Sequence, residues 1–139
     1  MNPRLAMRYP ALISSIFLAL VAVAALGAPA APAVTPHNST HVFQKNTYGG
    51  LQQWLAKDAS DKHLVSAIRA RVLAEAERFG KADYGRATPG ARYLRGIKAG
   101  QLDITYRELP AGAAIDYAGR DAASVDAIHK WLDAEIDAE

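Results

Sequence analysis

The sequence predicts an α+β fold in which a β-β-α unit occurs twice. The four strands are expected to form one antiparallel sheet, with two main helices on one face and a short helix in the connection. In each half, two extended segments around a glycine-containing turn precede an amphipathic helical stretch. Residues 61–75 align with 121–135 without a gap. The identical pairs in this alignment are Asp61/Asp121, Val65/Val125, Ala67/Ala127, Ile68/Ile128, Ala74/Ala134 and Glu75/Glu135.

The strands are predicted from alternation and turn residues. In the first unit, 41–79, they span 41–47 and 51–57 and meet at Tyr48-Gly49-Gly50, where glycine tolerates the positive φ of a tight turn. In the second unit, 102–137, a turn at 110–112 separates two alternating runs. The apolar residues of these runs are Leu102, Ile104 and Tyr106, then Ala113, Ile115 and Tyr117. Gly50 and Gly112 are the hairpin glycines that this comparison aligns, with a two-residue difference in length.

A helix ends each unit. The first is predicted to be capped by Asp58 or Ser60 and to end near Gly80, and the second begins at Asp121. The predicted buried stripes are Leu64, Ile68, Val72, Ala76 and Phe79 in the first helix, and Val125, Ile128, Leu132 and Ile136 in the second. Together, residues 41–139 form a single domain, because one β-β-α unit alone cannot bury its apolar face.

The connection, residues 80–101, is predicted to contain a short helix within 89–98. It is rich in basic and aromatic residues, which would suit either anion capture or simple solvation. These residues are Arg86, Arg92, Arg95, Lys98, Tyr84 and Tyr93.

The N-terminus resembles an export signal. Residues 1–30 combine basic Arg4 and Arg8, an apolar stretch over 11–28 and small residues suited to signal peptidase, and a flexible lead-in follows at 31–40. The sequence therefore predicts a periplasmic or secreted protein that does not span the membrane after cleavage. A retained inner-membrane anchor is the alternative. Cleavage would leave 14 basic against 14 acidic residues, so no nucleic-acid partner is predicted.

Several classes of site are excluded. The chain has no cysteine, which removes disulfides, thiolate metal sites and thiol nucleophiles. No glycine-rich phosphate loop, nucleophile elbow or HExxH motif occurs. Trp54 and Trp131 are predicted to pack in the core. The acidic residues of the helices, Glu75, Glu77, Asp133 and Glu135, are predicted to lie on solvated faces.

His129 is the first candidate functional residue. It borders the predicted buried stripe of its helix, whereas the first unit has Arg69 at the aligned position. This histidine could serve as a ligand or a general base. The alternative is a histidine at the edge of the core, bonded to a backbone carbonyl or to Tyr106 or Tyr117.

His41 is the second candidate, and the sequence does not determine which face of the sheet it points to. Phe43 argues that it faces the helices, while an alignment of Val42 with Ile104 argues that it faces away. Facing inward, His41 and His129 would converge and could hold a transition metal. Facing outward, His41 would share the open face with Lys45, Arg107 and Asp103. His37 and His63 are predicted to be solvated.

Four segments carry a resemblance to a family. They are Thr40-His41-Val42-Phe43-x-Lys45, Gly49-Gly50, Arg107-Glu108-Leu109-Pro110-x-Gly112-Ala113, and Ala127-Ile128-His129-x-Trp131-x-Asp133-Ala134. Over roughly residues 40–137, the chain resembles small bacterial proteins, some of which are labelled aspartate carbamoyltransferase. These relatives often carry further histidines near Arg71 and Ala87, which this chain lacks. It also lacks the Ser-Thr-Arg-Thr-type phosphate loop and the two-domain cleft of that enzyme, so carbamoyl transfer is not predicted.

The functional hypothesis is an exported, non-enzymatic binding protein for a small molecule or metal. Its candidate ligand residues are His41, Lys45, Arg107 and His129. One alternative is a small enzyme in which His129 is the general base and Lys45 or Arg107 binds an anionic substrate. Another is an interaction module that docks an envelope protein on the open face of the sheet. Catalytic residues and oligomeric state are not predicted.

Overall fold

The computed structural model describes residues 29–85 and 90–139, together with Gly27. The predicted signal peptide, apart from residues 27, 29 and 30, lies outside the described residues. In chain order the elements are β1 (Ser39–Asn46), β2 (Gly49–Ala56), α1 (Lys62–Gly80), α2 (Ala91–Leu94), β3 (Leu102–Leu109), β4 (Gly112–Gly119) and α3 (Ala122–Ile136). Among these described elements, no helix has the length and apolar character needed to cross a membrane.

The predicted fold class is confirmed. The four strands form one antiparallel sheet in the order β1-β2-β4-β3, and a main helix follows each hairpin. The short helix of the connection is also present, although α2 is only four residues long. Its predicted first residue, Pro89, lies outside the described residues.

The pairing of β2 with β4 is symmetric about Gln52 and Ile115, which lie directly opposite each other. Gly50 pairs with Tyr117 and Trp54 pairs with Ala113, so the register reads the same from either strand. Each hairpin residue therefore has a counterpart numbered 63 higher in the second half. The offset is 60 between the capping aspartates of α1 and α3, because the link before α1 is three residues longer.

Each main helix lies largely over the hairpin of the other half. The main contacts of α1 are with β3 and β4, whereas α3 contacts β1, β2 and β4. Ile128 of α3 lies beside Gly49, and its counterpart Ile68 of α1 lies beside Gly112. The two halves thus interlock, and both helices cover the same face of the sheet.

The buried stripe of α1 is confirmed, with Val65 added to the predicted set. The stripe of α3 differs from the prediction, because Ile136 is 46% exposed and Trp131 is buried. Trp131 packs edge-on against Tyr117 and Phe79, with ring centroids 4.8 and 5.6 Å away. Since burying an indole removes more apolar area from water than burying an isoleucine, this contact sets the rotation of the helix. The buried residues of α3 are Ser124, Ala127, Ile128, Trp131 and Leu132.

The predicted helix cap and hairpin turn need correction. The cap of α1 is Asp61, which accepts a hydrogen bond from the Leu64 amide, while Asp58 accepts from Ser60 in the preceding turn. The first hairpin turns at residues 47 and 48, so Gly49 and Gly50 are strand residues. Their role is close packing, because a Cβ on Gly49 would collide with the Tyr117 carbonyl oxygen.

Gly112 is the counterpart of Gly49 and meets the same constraint. A Cβ there would collide with the carbonyl oxygen of Trp54, the counterpart of Tyr117. Both glycines let β2 and β4 approach at the two ends of their pairing. The aligned hairpin glycines are therefore Gly49 and Gly112, rather than Gly50 and Gly112.

We predict that Gly49→Ala and Gly112→Ala each lower the free energy of unfolding by about 2 kcal/mol or more, because the added methyl meets backbone that cannot move aside. Urea denaturation monitored by circular dichroism measures the effect. Gly96→Ala is the control, since a Cβ there meets nothing within 4 Å. Equal stability of all three variants would contradict the symmetric strand contact.

Candidate functional site

His41 faces the helices. It lies opposite Trp54 in the β1–β2 register, and the two rings stack at 3.7 Å with an interplanar angle of 18°. Val42 points to the opposite, open face and is 36% exposed. The strand counterpart of His41 is Ile104, so the alignment of Val42 with Ile104 was one residue out of register.

A chain of hydrogen bonds fixes the proton on His41. The hydroxyl of Tyr117 donates to Gln52 Oε1 at 2.6 Å, so the Gln52 amide nitrogen faces His41 Nε2, 2.9 Å away. Because that nitrogen only donates, His41 Nε2 accepts and the ring proton resides on Nδ1. Nδ1 lies 2.9 Å from Glu139 Oε1, to which it donates.

The imidazole of His41 is neutral near neutral pH. Burial lowers the pKa of His41 from 6.5 to about 4, and the positive charge of Arg71 acts in the same direction. The contact with Glu139 is consequently a hydrogen bond to a neutral ring. Protonation would also place an N–H on Nε2 against the donor group of Gln52.

Trp54 lies between two basic side chains. Its ring stacks on His41, and the guanidinium of Arg71 lies 4.6 Å from the ring centroid. Trp54 Nε1 is buried and has no hydrogen-bond partner among the described residues. Trp131 packs in the core as predicted, while Trp54 packs against the core and also lines a cleft.

Two cavities meet at His41 and Trp54. The outer cleft has a volume of about 530 Å³, within the range of small-molecule sites. The inner pocket, of about 80 Å³, lies between the sheet and the two main helices. The outer cleft is lined by Pro36, Ser39, Thr40, His41, Trp54, Lys57, Ala138 and Glu139. The inner pocket is lined by His41, Phe43, Gln52, Trp54, Arg71, Glu75, Phe79, Trp131 and Glu135.

Glu75 and Glu135 are partly buried and line the inner pocket, which corrects their predicted place on solvated helix faces. Burial raises the pKa of Glu75, and the charge of Glu135 adds to this effect. A hydrogen bond from Gln52 and the charges of Arg78 and Arg71 act in the opposite direction. Glu135 Oε1 accepts a hydrogen bond from the Gly90 amide at 3.1 Å.

His129 binds backbone at the other end of β1. Its Nε2 lies 2.8 Å from the carbonyl oxygen of Asn46, to which it donates. The helix counterpart Arg69 donates to the carbonyl oxygen of Leu109, the counterpart of Asn46, at 2.7 Å. Both side chains thus anchor the hairpin of the opposite half. This agrees with the alternative interpretation of His129 as a histidine bonded to a backbone carbonyl.

The structure does not bring the predicted ligand residues together. His41 and Asn46 are five residues apart on one strand, about 17 Å along it, so the imidazoles of His41 and His129 do not converge. Lys45 pairs with Asp133 at 2.5 Å, near His129.

Arg107 lies on the open face of the sheet, where it pairs with Asp116 at 2.9 Å. It is therefore separated from His129 by the sheet. Within residues 29–85 and 90–139, no group of three or more His, Asp or Glu side chains is placed to hold a metal ion. His37 and His63 are exposed, as predicted.

Some aromatic and basic side chains of the connection make contacts within the fold. Tyr84 is buried, and its hydroxyl donates to the carbonyl oxygen of Ile97 at 3.0 Å. Arg92 donates to the hydroxyl of Tyr93 and lies over its ring. Arg86 and Ala87 lie outside the described residues.

Sequence reasoning missed Gln52, Glu75 and Glu135 as site residues. The signal for Gln52 is that its counterpart is Ile115, which becomes visible only with the 63-residue offset. The signal for the glutamates is their identity at aligned positions of the two helices. Comparison with protein-family models, curated proteins and solved structures gives no match for this chain.

We predict that His41 makes the folded state less stable in acid. The unfolded chain protonates this residue near pH 6.5 but the folded chain only near pH 4. Between these pH values the unfolded state binds more protons than the folded state. The contribution of neutral His41 to the free energy of unfolding is therefore fully present above the higher pKa and is lost as the pH falls toward the lower one. Urea denaturation at about pH 7 and about pH 5 should show a smaller loss of stability in His41→Gln than in the unmodified chain.

His63→Gln is the matched control, because it removes an exposed histidine and leaves the His41 contacts intact. Glu75 is present in all three proteins, so its opposite pH dependence does not distinguish them. An equal acid loss in His41→Gln and the unmodified chain would contradict the buried, neutral state of His41.

Proposed function

We propose that this chain is an exported, non-enzymatic binding protein for a small ligand. Its site is the outer cleft and the inner pocket that meet at His41 and Trp54. The proposal of export is based on the N-terminal sequence. Its basic residues, the apolar stretch after them and the small residues suited to signal peptidase are typical of a secretory signal.

One observation carries the proposal. The partly buried His41 forms a polar chain with the buried Gln52 and Tyr117, while the second half has Ile104 and Ile115 at the positions of His41 and Gln52. Apolar residues therefore suit this architecture at both places. Polar residues at positions where the fold would accept apolar ones are typical of functional sites.

The geometry favours binding over acid–base catalysis. A general base needs an accessible lone pair, but His41 Nε2 accepts from Gln52 and Nδ1 donates to Glu139. The alternative base His129 donates to the Asn46 carbonyl, and Arg107 is on the other face of the sheet. A cleft of about 530 Å³ that combines the aromatic ring of Trp54 with several polar side chains suits a small organic ligand.

The test is native mass spectrometry of the full chain purified from the periplasm with its own leader. We expect a cleaved chain that carries the added mass of a small ligand. The informative variant is His41→Ile/Gln52→Ile/Tyr117→Phe, which gives the two strand positions the residues of the second half and removes the hydroxyl that Gln52 had bonded. Only Glu75 and Glu139, neither of which is fully buried, lose a hydrogen-bond donor in this variant. We therefore expect it to fold but to lose the ligand.

His129→Gln is the control variant, since an amide can still donate to the Asn46 carbonyl. We expect it to retain the ligand. A bare unmodified chain, or full occupancy in the triple variant, would contradict the proposed site.

A further inference from the structure

We propose that the ligand is an organic cation whose primary ammonium group binds between Glu75 and Glu135 in the inner pocket. This inference rests on the proposed binding function and specifies the ligand class of the same site.

The two carboxylates occupy corresponding positions in α1 and α3. Because both helices cover the same face of the sheet, Glu75 and Glu135 line one pocket of about 80 Å³. In the part of the chain that the structure describes, neither carboxylate forms an ion pair. Like charges that share a partly buried pocket disfavour each other's ionisation, and a cation between them removes this conflict.

The remaining walls suit an organic cation. Phe43 and Phe79 are both edge-on to Trp131, with ring centroids 6.1 and 5.6 Å away. Aromatic faces attract ammonium groups and also contact methylene groups. The volume of about 80 Å³ equals roughly two or three water molecules, which fits an ammonium head group with its first carbon. The rest of the ligand would lie in the outer cleft, which adjoins at His41 and Trp54.

The charges around the pocket favour a cation. Arg71 is the basic side chain that lines it, and its guanidinium lies over Trp54. Among the residues that line the pocket, two carboxylates against one guanidinium leave an excess of negative charge. Arg78, which is exposed and lies outside the lining, adds a positive charge near Glu75. In agreement, burial together with the charges of Glu75 and Glu135 raises the pKa of Tyr117 well above its ordinary value. His41 and Gln52 add no free acceptor, because their hydrogen-bonding groups contact each other, Tyr117, Glu139 and Glu75.

Tryptophan fluorescence provides the first readout, because the two tryptophans of the chain, Trp54 and Trp131, both line the inner pocket. The probes are 1,4-diaminobutane and n-butylamine, and the uncharged comparison is n-butanol. We expect saturable binding of both amines by the full chain and none of the alcohol at the same concentrations. Equal binding of n-butanol would overturn the inference.

Charge variants provide the second readout. Glu75→Gln and Glu135→Gln should each weaken amine binding roughly tenfold or more, since each removes a charge-assisted hydrogen bond. Glu77→Gln removes an exposed charge from the same helix as Glu75 and should leave the affinity unchanged. We also expect the thermal midpoint of the ligand-free Glu75→Gln chain to be no lower than that of the unmodified chain. A lower midpoint with unchanged affinity would assign Glu75 a structural role and reject the inference.

The two proposals fail in different ways. If mass spectrometry finds a neutral, anionic or metal ligand on the periplasmic chain, the ammonium site is rejected and the binding function stands. The same holds if a ligand co-purifies but neither glutamate substitution changes amine affinity. A periplasmic chain that carries no ligand and binds neither amine rejects both proposals.

Discussion

The antiparallel pairing of β2 with β4 about Gln52 and Ile115 is the constraint on which the rest of the structure depends. Its symmetric register gives each hairpin residue a counterpart in the other half. It requires glycine at positions 49 and 112, where backbone approaches backbone. With the sheet fixed in this way, each helix crosses to the opposite hairpin, and both helices enclose the same face.

The site arises where the two halves differ and where they agree. They differ at His41 and Gln52, which form a polar chain in place of the isoleucines of the second half. They agree at Glu75 and Glu135, and the crossing of the helices brings these carboxylates to one pocket. A polar strand pair below two carboxylates is thus a product of the fold's symmetry together with a few local departures from it.

Much of the fold could be predicted from the sequence, because periodicity and turn residues indicate local structure directly. The order of elements and the buried stripe of α1 follow from such patterns. Alternation alone cannot show which face of β1 is covered by the helices, so the sequence did not determine which face His41 points to. The longer link before α1 put the repeat alignment out of register and hid the match of Gln52 with Ile115. The burial of Glu75 depends on the crossing of two helices, which no local sequence pattern predicts.

The orientation of the Gln52 amide connects the fold to the site, because it determines the proton position and the charge of His41. The most direct measurement is ¹H–¹⁵N NMR of the imidazole rings in the folded chain at neutral pH, with His41→Gln used to assign the His41 signals. Our account predicts a neutral His41 ring with its proton on Nδ1. An imidazolium, or a ring protonated on Nε2, would contradict it.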